Sequence, residues 1–236
     1  EIELMREEPR SLRINSKQVA VLMRLPGMEK ELAASFCVSE GLVHSFADLL
    51  TIRHCGQGGS VRQGEGSRNE VDVQVRPEAL NPGARLDVVR LIRTGCGAVN
   101  VDLSELALPR VPDGYKVSLK AVQSLAATMR EAQRLHRRVG GVHAAALFDA
   151  AGVMVILCED VGRHNAVDKA VGYCLLRGLA LTDKTLLCSG RLSYEMATKA
   201  IRMGLPLLVS VSAPTVLAVQ LAEHYNMTLI GYLRDN

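Results

Sequence analysis

The sequence predicts an α/β protein in two lobes: a smaller β-rich α+β lobe over 1–116 and a C-terminal α/β/α sandwich over 117–236. Three observations carry this. The chain has 236 residues, more than the roughly 100–150 of a usual single core. Its first third reads as short alternating strands with one helix. Its last hundred residues alternate apolar strand runs with helical patterns, which implies a largely parallel sheet covered by helices on both faces.

The elements follow in order. From Ser11 to Arg24, Leu12 and Ile14 and then Val19, Val21 and Met23 alternate around Asn15-Ser16-Lys17, a β-hairpin signal. Residues 28–40 place Leu32 and Phe36 at helical spacing, with Gly41 set to stop the helix. GQGGSVRQGEGSRN (56–69) holds five glycines and fits neither a dinucleotide fingerprint nor a P-loop, so it reads as a surface loop. Val71, Val73 and Val75 alternate as a half-buried strand, Asn81-Pro82-Gly83 marks a turn, and RTGCGAVN (93–100) sets Cys96 between two glycines.

The turn Pro112-Asp113-Gly114 marks the change of lobe. Ser118 can cap a helix running to about residue 137, with Leu119, Val122, Leu125 and Met129 on one face. VHAAALF from 142 and VMVILC from 153, joined by Asp149-Ala150-Ala151-Gly152, read as a hairpin. Helix and strand then alternate three times, ending with MTLIGYL from 227.

Composition narrows the function classes. A net charge of +3 admits an anionic ligand but is too small for a duplex-binding stripe. No Trp and three Phe leave little for base stacking on single strands, so no nucleic-acid partner is expected. The basic run Arg130, Arg134, Arg137 and Arg138 reads as a solvated helix end. No apolar run reaches the roughly 18 residues of a spanning helix, which favours a cytoplasmic protein without a membrane partner. None of the six cysteines forms a C-x-x-C pair, so no metal site is expected. Cys37, Cys158, Cys174 and Cys188 fall inside apolar patterns, whereas Cys55 and Cys96 border glycine-rich loops.

Three polar segments each follow a strand and precede a helix: EDVGRHNAVDK (159–169), SGRLSYE (189–195) and SVSAPT (210–215). In an open α/β sheet they gather at the carboxyl edge, where helix N-termini offer N–H groups to anions. Arg163, His164 and Arg191 add charge there, suiting a phosphate. Asp160, Asn165, Ser193 and Thr215 also serve as plain caps and turn residues, but Asp160, Arg163, His164, Asp168 and Lys169 crowd five ionisable groups into ten residues, more than capping needs. The lobe order resembles the cytidine deaminase fold, yet His143 is followed by Ala144 and Ala145 and no cysteine pair exists, so zinc deamination is excluded. No serine-hydrolase motif occurs either, and His143 reads as a core histidine.

GGVHAAALFD, EDVGRHNAVDK, SGRLSYEMATKA, GLPLLVSVSAPTVLAVQLAE and TLIGYLR, with EEPRSLRINSKQVAVLMRLPGMEKELAASFCVSEGL at the N-terminus, resemble the FdhD/NarQ family of formate dehydrogenase accessory sulfurtransferases. The resemblance implies a sulfur carrier that accepts a persulfide from a cysteine desulfurase. It passes the sulfur to the molybdenum or tungsten bis(pterin guanine dinucleotide) cofactor of formate dehydrogenase, works as a homodimer, and binds that cofactor or a GDP-like nucleotide. It also implies a cytidine-deaminase-like C-terminal lobe and a C-G-x-C sulfur-carrying loop, matched here by Cys96-Gly97-Ala98-Val99. Cys96 is then the persulfide carrier. Arg163, His164, Arg191, Ser193 and Thr215 would hold the cofactor's phosphates, with Tyr232, Leu233, Arg234, Asp235 and Asn236 as the cofactor-contacting tail. Val99 in place of the second cysteine keeps two alternatives open: a non-catalytic chaperone that binds the same cofactor, or an inert turn cysteine.

Overall fold

The computed structural model describes residues 3–55, 70–81, 90–92 and 106–234. The N-terminal lobe is a five-stranded sheet in the order β3-β4-β1-β2-β5. Strands β1 (Glu8–Ile14) and β2 (Lys17–Arg24) form the expected hairpin. The turn between them places Asn15 at φ 48° and Ser16 at φ 68°, the left-handed pair that a two-residue hairpin turn demands. β3 (Leu49–Cys55) runs antiparallel to β4 (Glu70–Val75), and β4 pairs in parallel with β1. β5 (Arg90–Ile92) lies parallel to β2, with Ile92 opposite Leu22. Helix α1 (Glu29–Ser39) covers one face, joining Leu32, Phe36 and Cys37 to Leu12, Ile14, Val71 and Val73 in one core.

The C-terminal lobe is a second five-stranded sheet in the order β10-β9-β8-β6-β7. β6 (His143–Phe148) and β7 (Met154–Asp160) form the second hairpin, turned by Gly152 at φ 82°. After them come α4 (Arg163–Leu176), β8 (Thr185–Cys188), α5 (Tyr194–Arg202), β9 (Leu207–Ser210), α6 (Val216–His224) and β10 (Thr228–Ile230). Strands β8, β9 and β10 are parallel and β6 is antiparallel to both neighbours. The two-residue period splits the strands between two cores. Ala144, Ala146, Phe148, Leu187 and Val209 meet Val122, Leu125 and Met129 on one face, whereas Ala145, Leu147, Leu186 and Leu208 meet α4, α5 and α6 on the other.

The long helix expected from Ser118 is two helices, α2 (Leu119–Ala132) and α3 (Arg134–Val139). Gln133 breaks the path at φ −66°, ψ 96°. The cause is Glu159 on β7, whose carboxylate accepts from the N–H groups of Leu135 and His136, both at 2.8 Å. Unpaired N–H groups and a positive dipole end at that point favour a new helix start. The segment 106–116, grouped with the first lobe by the turn at Pro112-Asp113-Gly114, packs on the second. Val111 is 2% exposed in the core beside α6 and bonds Tyr225 O through its N–H at 2.8 Å, and Tyr115 Oη meets Thr185 Oγ1 at 2.8 Å.

The two lobes are joined by buried polar contacts. Asp160, 0% exposed, accepts from Leu25 N at 3.1 Å, Gly162 N at 3.0 Å and Asn165 Nδ2 at 3.0 Å, and pairs with Lys169 Nζ at 2.7 Å. Lys169 donates onward to Leu25 O at 2.8 Å, and Asn165 to Met23 O at 2.7 Å. One turn further along α4, Asp168 accepts from Ser35 Oγ at 2.8 Å and Ser39 Oγ at 2.9 Å and pairs with Lys199 at 2.8 Å. Helices α1 and α4 touch so closely that a Cβ on Gly172 would stand 1.9 Å from Glu31 O.

Candidate functional site

Strands β7, β8, β9 and β10 share one direction, so their carboxyl ends and the segments after them share one edge of the sheet, as the strand–helix alternation predicts. Backbone bonds stitch those segments together: Leu192 N to Ala213 O at 3.0 Å, Thr215 N to Leu192 O at 2.9 Å, Tyr232 N to Ser212 O at 3.0 Å and Leu233 N to Ser210 O at 2.9 Å. Ser210 Oγ donates to Gly190 O at 2.7 Å, and Ser189 Oγ accepts from Ala144 N at 2.8 Å.

The sequence-derived residues divide across this edge. Arg163 opens α4 and is 8% exposed. A Cβ on Gly190 would lie 3.1 Å from Arg163 Cδ and 3.3 Å from His143 Nδ1, so the missing side chain lets the β8 turn close over both. His164 beside it is driven to a pKa of about 4 by burial, by the Lys199 ammonium and by the Arg163 guanidinium; it stands neutral at neutral pH. Ser193 is buried and donates to Glu195 Oε2 at 2.6 Å. Burial alone would raise the Glu195 pKa, but that hydroxyl and nearby charges outweigh it and hold the carboxyl below its ordinary value. Arg191 is exposed, and Thr215 is exposed while its Oγ1 caps α6 through Ala218 N at 3.3 Å.

The tail turns to the opposite face. Tyr232 takes φ 55° with its side chain outward. Leu233 is 8% exposed in the core shared with α2, and Arg234 Nη1 donates to Val211 O at 2.6 Å. The core of α4 lies on the other side of the sheet from Leu233. Beside the tail is a cavity of ≈ 400 Å³ with Met129, Val142, Val211 and Leu233 on its apolar wall. Gln133 and Ser189 add polar groups, and Arg130, His136 and Arg234 stand at it too. Sequence reading missed this cavity because it follows from the break at Gln133, and only Glu159 on another strand signals that break.

Three of the five crowded ionisable groups have a different use from the one expected. Asp160, Asp168 and Lys169 spend their charge on the lobe junction. Of the cysteines, burial pushes the Cys37, Cys158 and Cys188 thiols up to about 12 and raises Cys174 too. A thiol so shifted has almost no thiolate at neutral pH and is a poor nucleophile. Cys96, Asp235 and Asn236 lie outside the described residues. Among the described residues no cluster of His, Cys, Asp and Glu could hold a metal, and no helix is long and apolar enough to cross a membrane.

A model of the FdhD/NarQ family matches residues 5–236. The chain belongs to the FdhD/NarQ family. FdhD/NarQ relatives include the sulfur carrier protein FdhD of Streptomyces avermitilis, 43% identical over 98% of this chain and 84% of the relative. Those of Mycobacterium tuberculosis (38%, 98% and 86%) and Thermoplasma acidophilum (36%, 93% and 76%) are similar. The fold matches the crystal structure of a Desulfotalea psychrophila protein ascribed to the formate dehydrogenase accessory proteins, with a TM-score of 0.72 and 25% identity over 97% of this chain and 84% of that one. This FdhD/NarQ chain shares with it a mixed α/β fold with a β-rich N-terminal lobe.

Proposed function

We propose that the chain is an FdhD-type sulfur carrier for formate dehydrogenase. In this reading Cys96 takes sulfur from a cysteine desulfurase and delivers it to a molybdenum or tungsten bis(pterin guanine dinucleotide), here a substrate. Near-complete family coverage with relatives named as sulfur carriers is the observation that carries the reading. The cysteine chemistry supports it: the four buried thiols are unreactive by burial, which leaves Cys55 and Cys96 as candidates.

Loading is redox-neutral: the Cys96 thiolate attacks the outer sulfur of the desulfurase persulfide, the S–S bond breaks, and the desulfurase cysteine leaves as thiolate. Releasing that sulfur as sulfide takes two electrons. With Val99 at the fourth loop position, a second thiol must supply them, either Cys55 or a small-molecule thiol, and ends in a disulfide with Cys96. The strand order with β6 reversed supports a cytidine-deaminase-like lobe that lacks zinc ligands. Arg163, His164, Arg191, Ser193 and Thr215, with residues 232–236 of the tail, are the proposed cofactor contacts. The family resemblance adds a homodimer.

The test is incubation with a cysteine desulfurase and cysteine, followed by mass spectrometry. One added sulfur on Cys96, lost in Cys96→Ser, is expected. Sulfur on another cysteine, or on none, overturns the carrier role. In the second case, binding of the cofactor without sulfur uptake identifies a chaperone, the reading that Val99 favours.

A further inference from the structure

We infer that the exposed face of helix α3 is the docking surface for a protein partner that presents clustered carboxylates, with Arg134, Arg137 and Arg138 as its anchoring residues. This rests on the reading above that the chain meets other enzymes, and it assigns one of those meetings to a place and a charge.

In the sequence this basic run reads as the end of one long helix, where cations offset the negative end of the dipole. The structure removes that account. The helix breaks at Gln133 and α3 starts afresh at Arg134. Its dipole favours Arg137 and Arg138 in the last turn but disfavours Arg134 in the first. Positions 134, 137 and 138 follow the spacing i, i+3, i+4, which puts three guanidiniums on one face of a helix about 9 Å long. Like charges at that spacing repel. All three residues are exposed. Arg138 meets Glu3 at 2.9 Å, an exposed pair that is worth little. Arg134 and Arg137 make no hydrogen bond or ion pair among the described residues. Glu159, the carboxylate at that helix start, is taken up by the N–H groups of Leu135 and His136. Neither internal pairing nor the dipole accounts for the whole face, so its charge is open to something that arrives from outside.

The composition of the face selects the class of partner. Leu135 and Val139, one turn apart, are half-buried, so α3 has no exposed apolar stripe with which to enter a bilayer. Residues 130–138 contain no Phe, Tyr or Trp to stack on bases, and three arginines on two turns fall short of the stripe that tracks a duplex. A protein surface remains. Arginine is the cation enriched at interfaces, and its planar fork takes a carboxylate through two parallel hydrogen bonds. Asp or Glu residues at the same spacing on a partner helix would set one carboxylate before each guanidinium.

Biolayer interferometry on the immobilised full chain tests the assignment, with a cysteine desulfurase and a formate dehydrogenase as separate analytes at stepped salt. One of the two is expected to associate at a rate that falls as salt rises. The triple charge reversal Arg134→Glu, Arg137→Glu, Arg138→Glu should slow that association by about tenfold or more at low salt. The triple variant Arg134→Lys, Arg137→Lys, Arg138→Lys keeps the charge and should stay within about threefold of the wild type. Both variants should keep the wild-type thermal midpoint, as exposed positions do. Salt-independent association of the wild type with both enzymes overturns the proposal without recourse to a variant. So do equal rates for wild type and charge reversal, binding of neither enzyme, or use of these arginines only for transfer RNA or phosphatidylserine vesicles. Persulfide loading, followed by mass spectrometry on the same preparation, separates the two readings. Loading with association insensitive to the face refutes the docking surface and leaves the carrier role standing; docking through the face without loading does the reverse.

Discussion

At the scale of single residues, burial decides which ionisable groups do chemistry and which hold the fold. His164 shows this through pH. Its folded pKa of about 4 lies below the value near 6.5 of an unfolded imidazole, so the unfolded chain binds the proton first as pH falls. The neutral ring's contribution is complete above about pH 6.5 and is lost progressively toward pH 4, amounting to about 3 kcal/mol. His164→Gln should flatten the stability profile in that window, measured by denaturant unfolding at stepped pH. Lys199 is the opposite case: burial would lower its pKa, but the carboxylates of Asp168 and Glu40 outweigh burial and hold it charged. Lys199→Met leaves Asp168 buried without its cation, a loss of about 3–5 kcal/mol expected as a fall in the unfolding midpoint. Asp168 and Lys169 look in the sequence like parts of a ligand site, since charge crowded after an apolar strand suits an anion edge equally well. Only their partners across the junction, Ser35, Ser39 and Leu25, distinguish the two uses, and those lie more than a hundred residues away in the chain.

At the scale of elements, periodicity made most of the fold readable. Val71, Val73 and Val75 alternate as β4 does, and the two hairpins sit where Asn15-Ser16 and Asp149–Gly152 place them. Helix α2 was legible from its apolar face and Ser118, but not its end, because Glu159 acts from a distant strand. Close contact between elements is equally hidden. Helix α4 contains Gly172 in mid-helix, where alanine is favoured by about 1 kcal/mol. Yet a Cβ there would stand 1.9 Å from Glu31 O on α1. Gly172→Ala should therefore destabilise, by at least ~2 kcal/mol, and denaturant unfolding that shows stabilisation instead would contradict the close approach of the two helices.

At the scale of the whole molecule, the two sheets were legible from the change in pattern along the chain, whereas their attachment was not, since polar groups announce no partner. That α4 and the tail pack on opposite faces of one sheet was hidden as well: the tail's turn toward α2 follows from Leu233 seeking the second core. Thiol accessibility tests this global arrangement. With Cys37, Cys158, Cys174 and Cys188 buried, no more than two of the six cysteines should react with an aromatic disulfide reagent in the native protein at neutral pH, and all six after unfolding, read by absorbance. Fast reaction of Cys158, whose Sγ meets Met28 Sδ across the junction at 3.5 Å, would show that the lobes part in solution. Their fastening through Asp160, Lys169 and Asp168 has a consequence for traffic. A carrier that swung one lobe could face its donor in one posture and its acceptor in another; here such a swing would strip Leu25, Ser35 and Ser39 from the buried charges of Asp160, Lys169 and Asp168, a costly loss of buried hydrogen bonds. On the proposed function, donor and acceptor would meet one fixed body rather than two postures of it, so that the affinity of each partner, and not a change of shape, would order their visits.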